Sequence, residues 1–408
     1  MYYCLNKDIF IVDGLSKSCI YDLSKGRLYS INKALANVLK NLNKGDFDTE
    51  YIFEDKLQEI INLLIEKDII STSTKKKSNE ISDLKVENKN SKLAWVEITS
   101  KCNLKCIHCY NESEDFKYHD MSFEDYKYTI DFLLAKGIDK LQIIGGEPFV
   151  NPIMLKKMLG YTVGKFKLLE IFTNGTLIPD DFYEYLKIHN IRVALSVYSY
   201  DDVEHDKVTK VIGTHYKTNK TIANLKKYGI KYRVCNVLMD GIKLGRQNTN
   251  LYNLNPEKDV VRMSGRANYK LLTHELIKKK LITRKTFEAP INKAFVTRLV
   301  SGHNCFSNRI YISSDLNIYP CVMERRISHG NIKENTLLEF DTKILNYNKD
   351  YIDGCKNCEY RYACFDCRPN SLDENISSKP WYCTYNVNDG TWIDQEIFID
   401  NLDKKWLE

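Results

Sequence analysis

The chain has 408 residues, 43% of them apolar, and its 60 basic and 54 acidic side chains leave a formal net charge of +6. That length exceeds what one hydrophobic core usually serves, and the composition excludes a fibrous or low-complexity chain and gives little pull toward nucleic acid. No stretch approaches the roughly 20 apolar residues of a membrane span, and Asn6, Lys7 and Asp8 interrupt the start that a secretory signal would need, so a cytoplasmic protein is expected.

The first 70 residues read as a unit. Two strand-like runs, Ile9 to Val12 and Ser18 to Asp22, precede a turn at Lys25-Gly26. Beyond Ser30, Ala34, Leu35, Val38 and Leu39, and then Leu57, Ile60, Ile61, Leu64 and Ile65, recur at helical spacing before Ile69-Ile70. Strands followed by such helices suggest a small winged-helix-like α+β module over residues 1–72. Residues 73–92 shift to Ser, Thr, Lys, Asn and Glu and include Lys75-Lys76-Lys77; by composition they form a linker with a solvated lysine run.

From Leu93 onward strand-like and helix-like segments alternate. Trp95 to Thr99, Leu141 to Ile144, Leu168 to Phe172, Val193 to Val197 and Lys231 to Leu238 read as strands, with Val260 to Met263 as a sixth. Helices fall between them at Ser122 to Lys136, after Pro152, at Asp180 to Lys187 and at Lys217 to Tyr228. Such repetition predicts an α/β fold, a partial (β/α)6 barrel within residues 93–300, with functional groups at the C-terminal ends of the strands. Residues 301–408 turn to cysteine-punctuated loops and short strands such as Arg309 to Ile312, the texture of a metal-organised domain.

Thirteen cysteines in a reducing compartment point to metal rather than to a disulfide framework. Cys4, Cys19 and Cys235 stand alone and are expected to be packed thiols. Cys102, Cys106 and Cys109 share one loop directly after the first barrel strand. Three thiolates leave one iron of a four-cysteine cubane open to another ligand. Zinc would want a fourth nearby ligand, and His108 lies between two of the cysteines rather than at zinc spacing.

This C-x3-C-x2-C motif resembles that of the radical S-adenosylmethionine superfamily, with His108 in the motif's aromatic position. The resemblance implies a [4Fe-4S] cluster on Cys102, Cys106 and Cys109 whose open iron takes S-adenosylmethionine and splits it to a hydrogen-abstracting 5′-deoxyadenosyl radical. Gly145-Gly146-Glu147-Pro148 resembles the family's GGEP segment, which implies backbone and carboxylate contacts to the cofactor's ammonium. Asn174 and Ser196 match strand-end positions used for the adenosine and ribose, while Tyr198 stands where many members carry Asp. The seven later cysteines resemble a SPASM domain, with a structural zinc ribbon as the alternative. In two-cluster SPASM proteins the ligation interlaces. That implies one auxiliary [4Fe-4S] cluster on Cys355, Cys358, Cys364 and Cys383, and another on Cys305, Cys321 and Cys367 with one ligand short.

Further segments, among them Leu195-Ser196-Val197-Tyr198-Ser199, His303-Asn304-Cys305 and Cys358-Glu359-Tyr360-Arg361-Tyr362, resemble the SPASM peptide maturases of "grasp-with-spasm" systems. The resemblance implies an oxidoreductase-type maturase acting on a ribosomal precursor peptide, whose leader adds as a strand to the N-terminal module. The product would be a cross-link such as a thioether, or an epimerised residue. Implied partners are an external electron donor such as flavodoxin or ferredoxin and an ATP-grasp ligase; neither nucleic acid nor membrane is expected. Two other classes compete. A radical activator of a folded protein, as in sulfatase maturation, is disfavoured by Val322, where those enzymes resemble one another in an acidic base. A winged-helix iron–sulfur regulator is disfavoured by the few basic residues from Lys33 to Lys40.

Overall fold

The computed structural model describes residues 2–44, 55–75, 78–87, 92–111, 119–245, 257–307, 309–334, 345–370 and 375–407. Its N-terminal part comprises strands β1 (Tyr2–Leu5), β2 (Ile9–Asp13), β3 (Ser18–Asp22) and β4 (Arg27–Ile31), helices α1 (Lys33–Lys44) and α2 (Asp55–Glu66), and strand β5 (Ile70–Ser73). Strands β2, β3 and β4 form an antiparallel meander, and β1 pairs antiparallel with β5. Strand β1 is absent from the sequence reading because four residues carry too little periodicity.

Alternation along the meander buries it on both sides. Ile9 and Ile20 pack with Leu39, Leu42, Ile61 and Leu64. Phe10, Val12, Cys19 and Tyr21 pack instead with Tyr360, Tyr362 and Tyr385 of the cysteine-rich region. Tyr21 Oη donates to Glu359 O at 2.9 Å, and Leu15 N donates to Asn357 O at 2.8 Å. The module is therefore docked on the far end of the chain. The segment read as a linker is also partly ordered: a 3₁₀ turn over Ile81–Leu84 buries Leu84, and Val86 N donates to Ser301 Oγ at 2.8 Å. Ile81 and Leu84, three apart, supply an apolar face that a compositional reading averages away. Lys76, Lys77 and residues 88–91 lie outside the described residues.

Six parallel strands form the centre: β6 (Leu93–Glu97), β7 (Lys140–Ile144), β8 (Leu168–Thr173), β9 (Arg192–Ser196), β10 (Tyr232–Leu238) and β11 (Glu257–Val260), neighbours in that order. The connections carry α3 (Phe123–Ala135), α4 (Pro152–Thr162), α5 (Phe182–Ile188), α6 (Asp202–Thr209) and α7 (Thr214–Lys227). Val96, Ile143, Ile171 and Val193 pack in one core with Ile130, Leu133, Leu155, Phe182, Ile222 and Leu225. The sixth strand lies earlier than expected, ending at Val260 where the apolar run begins. Its start is polar, and parallel pairing with β10 satisfies its backbone, so hydrophobicity marked its exit rather than its body.

The sheet continues past β6. Strand β12 (Arg309–Ile312) lies parallel to β6 with Tyr311 opposite Trp95, and β13 (Ile318–Tyr319) runs antiparallel to β12. The first strand of the cysteine-rich region thus covers the barrel's exposed edge. Buried Glu97 fastens it, accepting from Tyr311 Oη at 2.7 Å and Ser314 Oγ at 2.9 Å. Helices α8 (His274–Lys280) and α9 (Lys293–Ser301), the hairpin β14 (Tyr385–Asn386) and β15 (Thr391–Trp392), and α10 (Gln395–Leu407) complete the described elements. Among the described residues no helix is long and apolar enough to cross a membrane.

Candidate active site

Chain leaving β6 forms the loop with Cys102, Cys106 and Cys109, and backbone bonds hold it. Lys105 N donates to Thr209 O and Ile107 N to Val208 O, each at 3.0 Å, so the end of α6 props the loop from outside. Cys109 N donates to Cys106 O at 3.2 Å, closing a turn, and Leu104 N donates to Cys102 Sγ at 3.4 Å. Burial pushes the Cys102 and Cys106 thiols up to about 12, and the neighbouring sulfurs of the trio push in the same direction. Left alone, Cys102 and Cys106 stay protonated. A cation bound between the sulfurs would reverse that balance and hold them as thiolates.

The glycines explain how the next strand end approaches this loop. A Cβ on Gly146 would lie 2.2 Å from Lys101 O and one on Gly145 2.7 Å from Thr99 O, so only glycine fits at either position. Gly146 N donates to Thr99 O at 2.8 Å and Glu147 N to Lys101 O at 2.7 Å, tying the β7 exit to the β6 exit. Glu147 itself is fully buried and does not line the cavity beside the cysteines. Its Oε1 accepts from Phe149 N at 3.0 Å and Thr173 Oγ1 at 2.7 Å, and its Oε2 accepts from Asn174 N at 2.7 Å. Burial pushes this carboxyl up to about 7 against those three donors. The carboxylate braces the β8 exit loop.

Asn174 reaches the cysteine loop: its Nδ2 donates to Asn103 Oδ1 at 2.9 Å and lies 4.0 Å from Cys102 Sγ. Ser196, at the end of β9, and the buried Tyr198 lie beside Cys106, and the Tyr198 hydroxyl favours the charged form of the Cys106 sulfur. The residue that departs from the motif is thus joined to the cysteine loop. His108 packs edge-on to Tyr198, with ring centroids 4.9 Å apart. Burial, with Arg266 nearby, lowers His108 to about 4, so its imidazole is neutral.

Cys102, Cys106, His108, Cys109, Gly145, Gly146, Asn174 and Ser196 line one cavity of about 530 Å³. That size falls in the range of small-molecule sites. Its far wall carries Asp259, Arg262, Arg309, Val322 and Met323. Sequence reasoning missed Asp259, Arg262 and Arg309, which carry no local motif and meet the cavity only through the fold. Arg262 Nη2 donates to Asp259 Oδ2 at 2.7 Å, and its Nη1 lies 3.9 Å from Cys367 Sγ. The cavity therefore runs from the first cysteine trio to the wall of the second.

The later cysteines fall into two spatial groups. Cys355, Cys358, Cys364 and Cys383 line a common small cavity. Cys305, Cys321 and Cys367 lie close enough to perturb one another's ionisation. Between the groups sits buried Asp366. Its Oδ1 lies 2.9 Å from both His303 Nε2 and Lys349 Nζ, and its Oδ2 accepts from Arg368. His303 Nδ1 in turn accepts from Cys305 N at 3.1 Å. Among the described residues no three His, Cys, Asp or Glu side chains close around a single-ion position. The lone thiols Cys4 and Cys19 are buried, whereas Cys235 is half-buried with Arg233 Nη1 at 3.5 Å.

Residues 96–246 match the model of the Radical SAM superfamily. The chain contains a radical SAM domain, and the loop of Cys102, Cys106 and Cys109 and the exits of β7, β8 and β9 lie within it. Over 143 residues the chain is 39% identical to the antilisterial bacteriocin subtilosin biosynthesis protein AlbA of Bacillus subtilis (strain 168), a match covering 35% of this chain and 32% of AlbA. The structure of anSMEcpe with bound AdoMet aligns at TM-score 0.51 over 77% of this chain and 98% of its own, with 18% identity. Streptococcus suis SuiB bound to S-adenosylmethionine aligns at TM-score 0.50 over 92% of this chain and 98% of its own, with 15% identity. Both show the shared fold. The chain spans about a third of AlbA and about half of two further curated relatives it matches.

Proposed function

We propose that this chain is a radical S-adenosylmethionine maturase of a ribosomally made peptide. The observation that carries the reading is the single cavity joining the Cys102, Cys106 and Cys109 loop to the wall beside Cys321 and Cys367. The identity shared over 143 residues with the bacteriocin-biosynthesis protein AlbA supports a peptide as substrate. The buried thiol trio suits a [4Fe-4S] cluster with one open iron, which together with S-adenosylmethionine would supply a 5′-deoxyadenosyl radical.

The protein's own part is positioning. Gly145 and Gly146 let the β7 exit approach the cysteine loop, Glu147 holds the Asn174 loop, and Ser196 and Tyr198 present hydroxyls at the β9 exit. Apolar Leu93, Trp95, Phe172, Val237 and Met323 exclude water from the cavity, which protects a reactive intermediate. The groups Cys355, Cys358, Cys364 and Cys383, and Cys305, Cys321 and Cys367, would hold auxiliary clusters, the second with one ligand to be supplied from elsewhere. The N-terminal module would take the leader segment. A flavodoxin- or ferredoxin-type donor would supply electrons, and an ATP-grasp ligase would act on the same peptide. A sulfatase-maturase-like role finds no support at Val322, which presents an apolar side chain to the cavity.

The test is anaerobic reconstitution with iron, sulfide, reductant and a candidate precursor peptide, scored for 5′-deoxyadenosine and peptide mass. A cross-link leaves the peptide two hydrogens lighter, and epimerisation leaves its mass unchanged with an altered chiral residue. An unaltered peptide, with every candidate tried and the clusters intact, would contradict the reading.

A further inference from the structure

The proposed chemistry needs an electron delivered to the first cysteine trio, and one outer face of the molecule is built to receive its carrier. We infer that the α6–α7 hairpin is the docking surface for a small acidic electron-transfer protein. The inference rests on the cluster reading above and adds where the donor binds and by what chemistry.

The hairpin is the structural neighbour of the cysteine loop on its outer side. The carbonyls of Val208 and Thr209, the last residues of α6, accept from the backbone N–H groups of Ile107 and Lys105, which flank Cys106. Ile212 follows Thr209 by three residues, a span of at most about 11 Å of extended chain. A carrier seated on Ile212 is therefore close to Cys106, with a peptide hydrogen-bond path between them.

The face itself is apolar and basic. Ile212 is 95% exposed and Tyr216 73% exposed, on either side of the helix start, and Val203 on α6 is 61% exposed. Helix α7 carries Lys217, Lys220, Lys226 and Lys227 and no acidic residue, and exposed Lys210 caps α6. The acidic groups of α6 make local hydrogen bonds while keeping their charge, and exposed Asp202, at the end of α6 away from Ile212, accepts from Val203 N at 2.8 Å. Asp201 caps the helix through Glu204 N, Glu204 pairs with Lys207, and Asp206 accepts from Gly213 N, Thr214 Oγ1 and His215 N at the start of α7. An apolar centre with a lysine rim complements a redox protein whose cofactor edge is apolar and ringed by carboxylates.

The experiment compares two reductants on reconstituted protein. Ile212→Glu and the pair Lys217→Glu/Lys220→Glu are assayed for 5′-deoxyadenosine formation, driven either by dithionite or by reduced flavodoxin with its reductase. Flavodoxin binding is measured in parallel by calorimetry at low and high salt. The expected result is an about tenfold loss in flavodoxin affinity and in flavodoxin-driven rate at low salt, with the dithionite-driven rate unchanged. Flavodoxin binding and rate held within about twofold would overturn the inference. So would an equal loss with both reductants, or a parental dimer that Ile212→Glu splits, which would make this face a self-interface. Parental protein giving no 5′-deoxyadenosine with dithionite would instead remove the cluster reading on which the inference stands.

Discussion

Asp366→Asn tests whether the charge network between the two later cysteine groups holds them in place. Asp366 and Arg368 are fully buried, and Lys349 is 2% exposed. Lys349 Nζ meets Asp366 Oδ1 at 2.9 Å without an aligned hydrogen bond, so its link to the carboxylate is Coulombic. Burial lowers His303 despite the Asp366 charge, and among the described residues Asp366 is the carboxylate that meets both the ammonium and the guanidinium. Removing one partner of a buried pair costs about 3–5 kcal/mol, and two orphaned cations place this substitution toward the upper end. For a cooperative unit of about 150–250 residues that corresponds to a fall of roughly 6–20 °C in melting temperature. The assay is thermal unfolding of the reconstituted protein by circular dichroism at several scan rates, because unfolding that releases iron is irreversible. Adding Lys349→Met should recover a substantial part of the loss, since it removes one uncompensated charge. An Asp366→Asn variant melting within about 2 °C of the parent would refute the reasoning.

Three further outcomes follow from the barrel end. Glu147→Gln sets an amide nitrogen against Asn174 N and should cost about 1–3 kcal/mol, read by denaturant titration of the reconstituted protein. Because the Glu147 carboxyl is raised from 4.5 to about 7 in the fold, its contribution to stability is complete below pH 4.5 and is lost as pH rises through 7. The parent should therefore lose stability over that window, and the Gln variant should show a flatter slope. Gly146→Ala drives a Cβ into Lys101 O and should abolish iron incorporation at the first trio while the later cysteines keep theirs, as counted by Mössbauer spectroscopy. Tyr198→Phe removes the hydroxyl that favours the charged Cys106 sulfur and should lower the reduction potential of the first cluster with iron content unchanged, as followed by spectroscopic redox titration.

The barrel was legible because each strand is a short apolar run flanked by helical periodicity, and the first cysteine loop because its spacing is local. What remained hidden depends on pairing across the chain. Strand β12 joins the barrel beside β6, and no periodic signal in Arg309–Ile312 names that partner. Helix α6 falls in a polar window whose buried residues, His205, Val208 and Thr209, are too few to show amphipathicity. Glu147 was legible as part of a motif, but only the structure shows its oxygens tied to Phe149, Thr173 and Asn174 of the neighbouring loops. The module over residues 1–72 was read as separate, yet Phe10, Val12 and Tyr21 form the second apolar face that docks it against Tyr360 and Tyr385. A strand buried on both faces reads from sequence only as a short apolar run.

The central claim is that the loop of Cys102, Cys106 and Cys109 generates a radical from S-adenosylmethionine. Its most direct test is 5′-deoxyadenosine formation by anaerobically reconstituted, dithionite-reduced protein, compared with a Cys106→Ala variant that retains the iron of its later cysteines. The account predicts 5′-deoxyadenosine from the parent and none from the variant. A parent with an intact, reduced first cluster that forms no 5′-deoxyadenosine, or a variant that forms it equally well, would contradict the account.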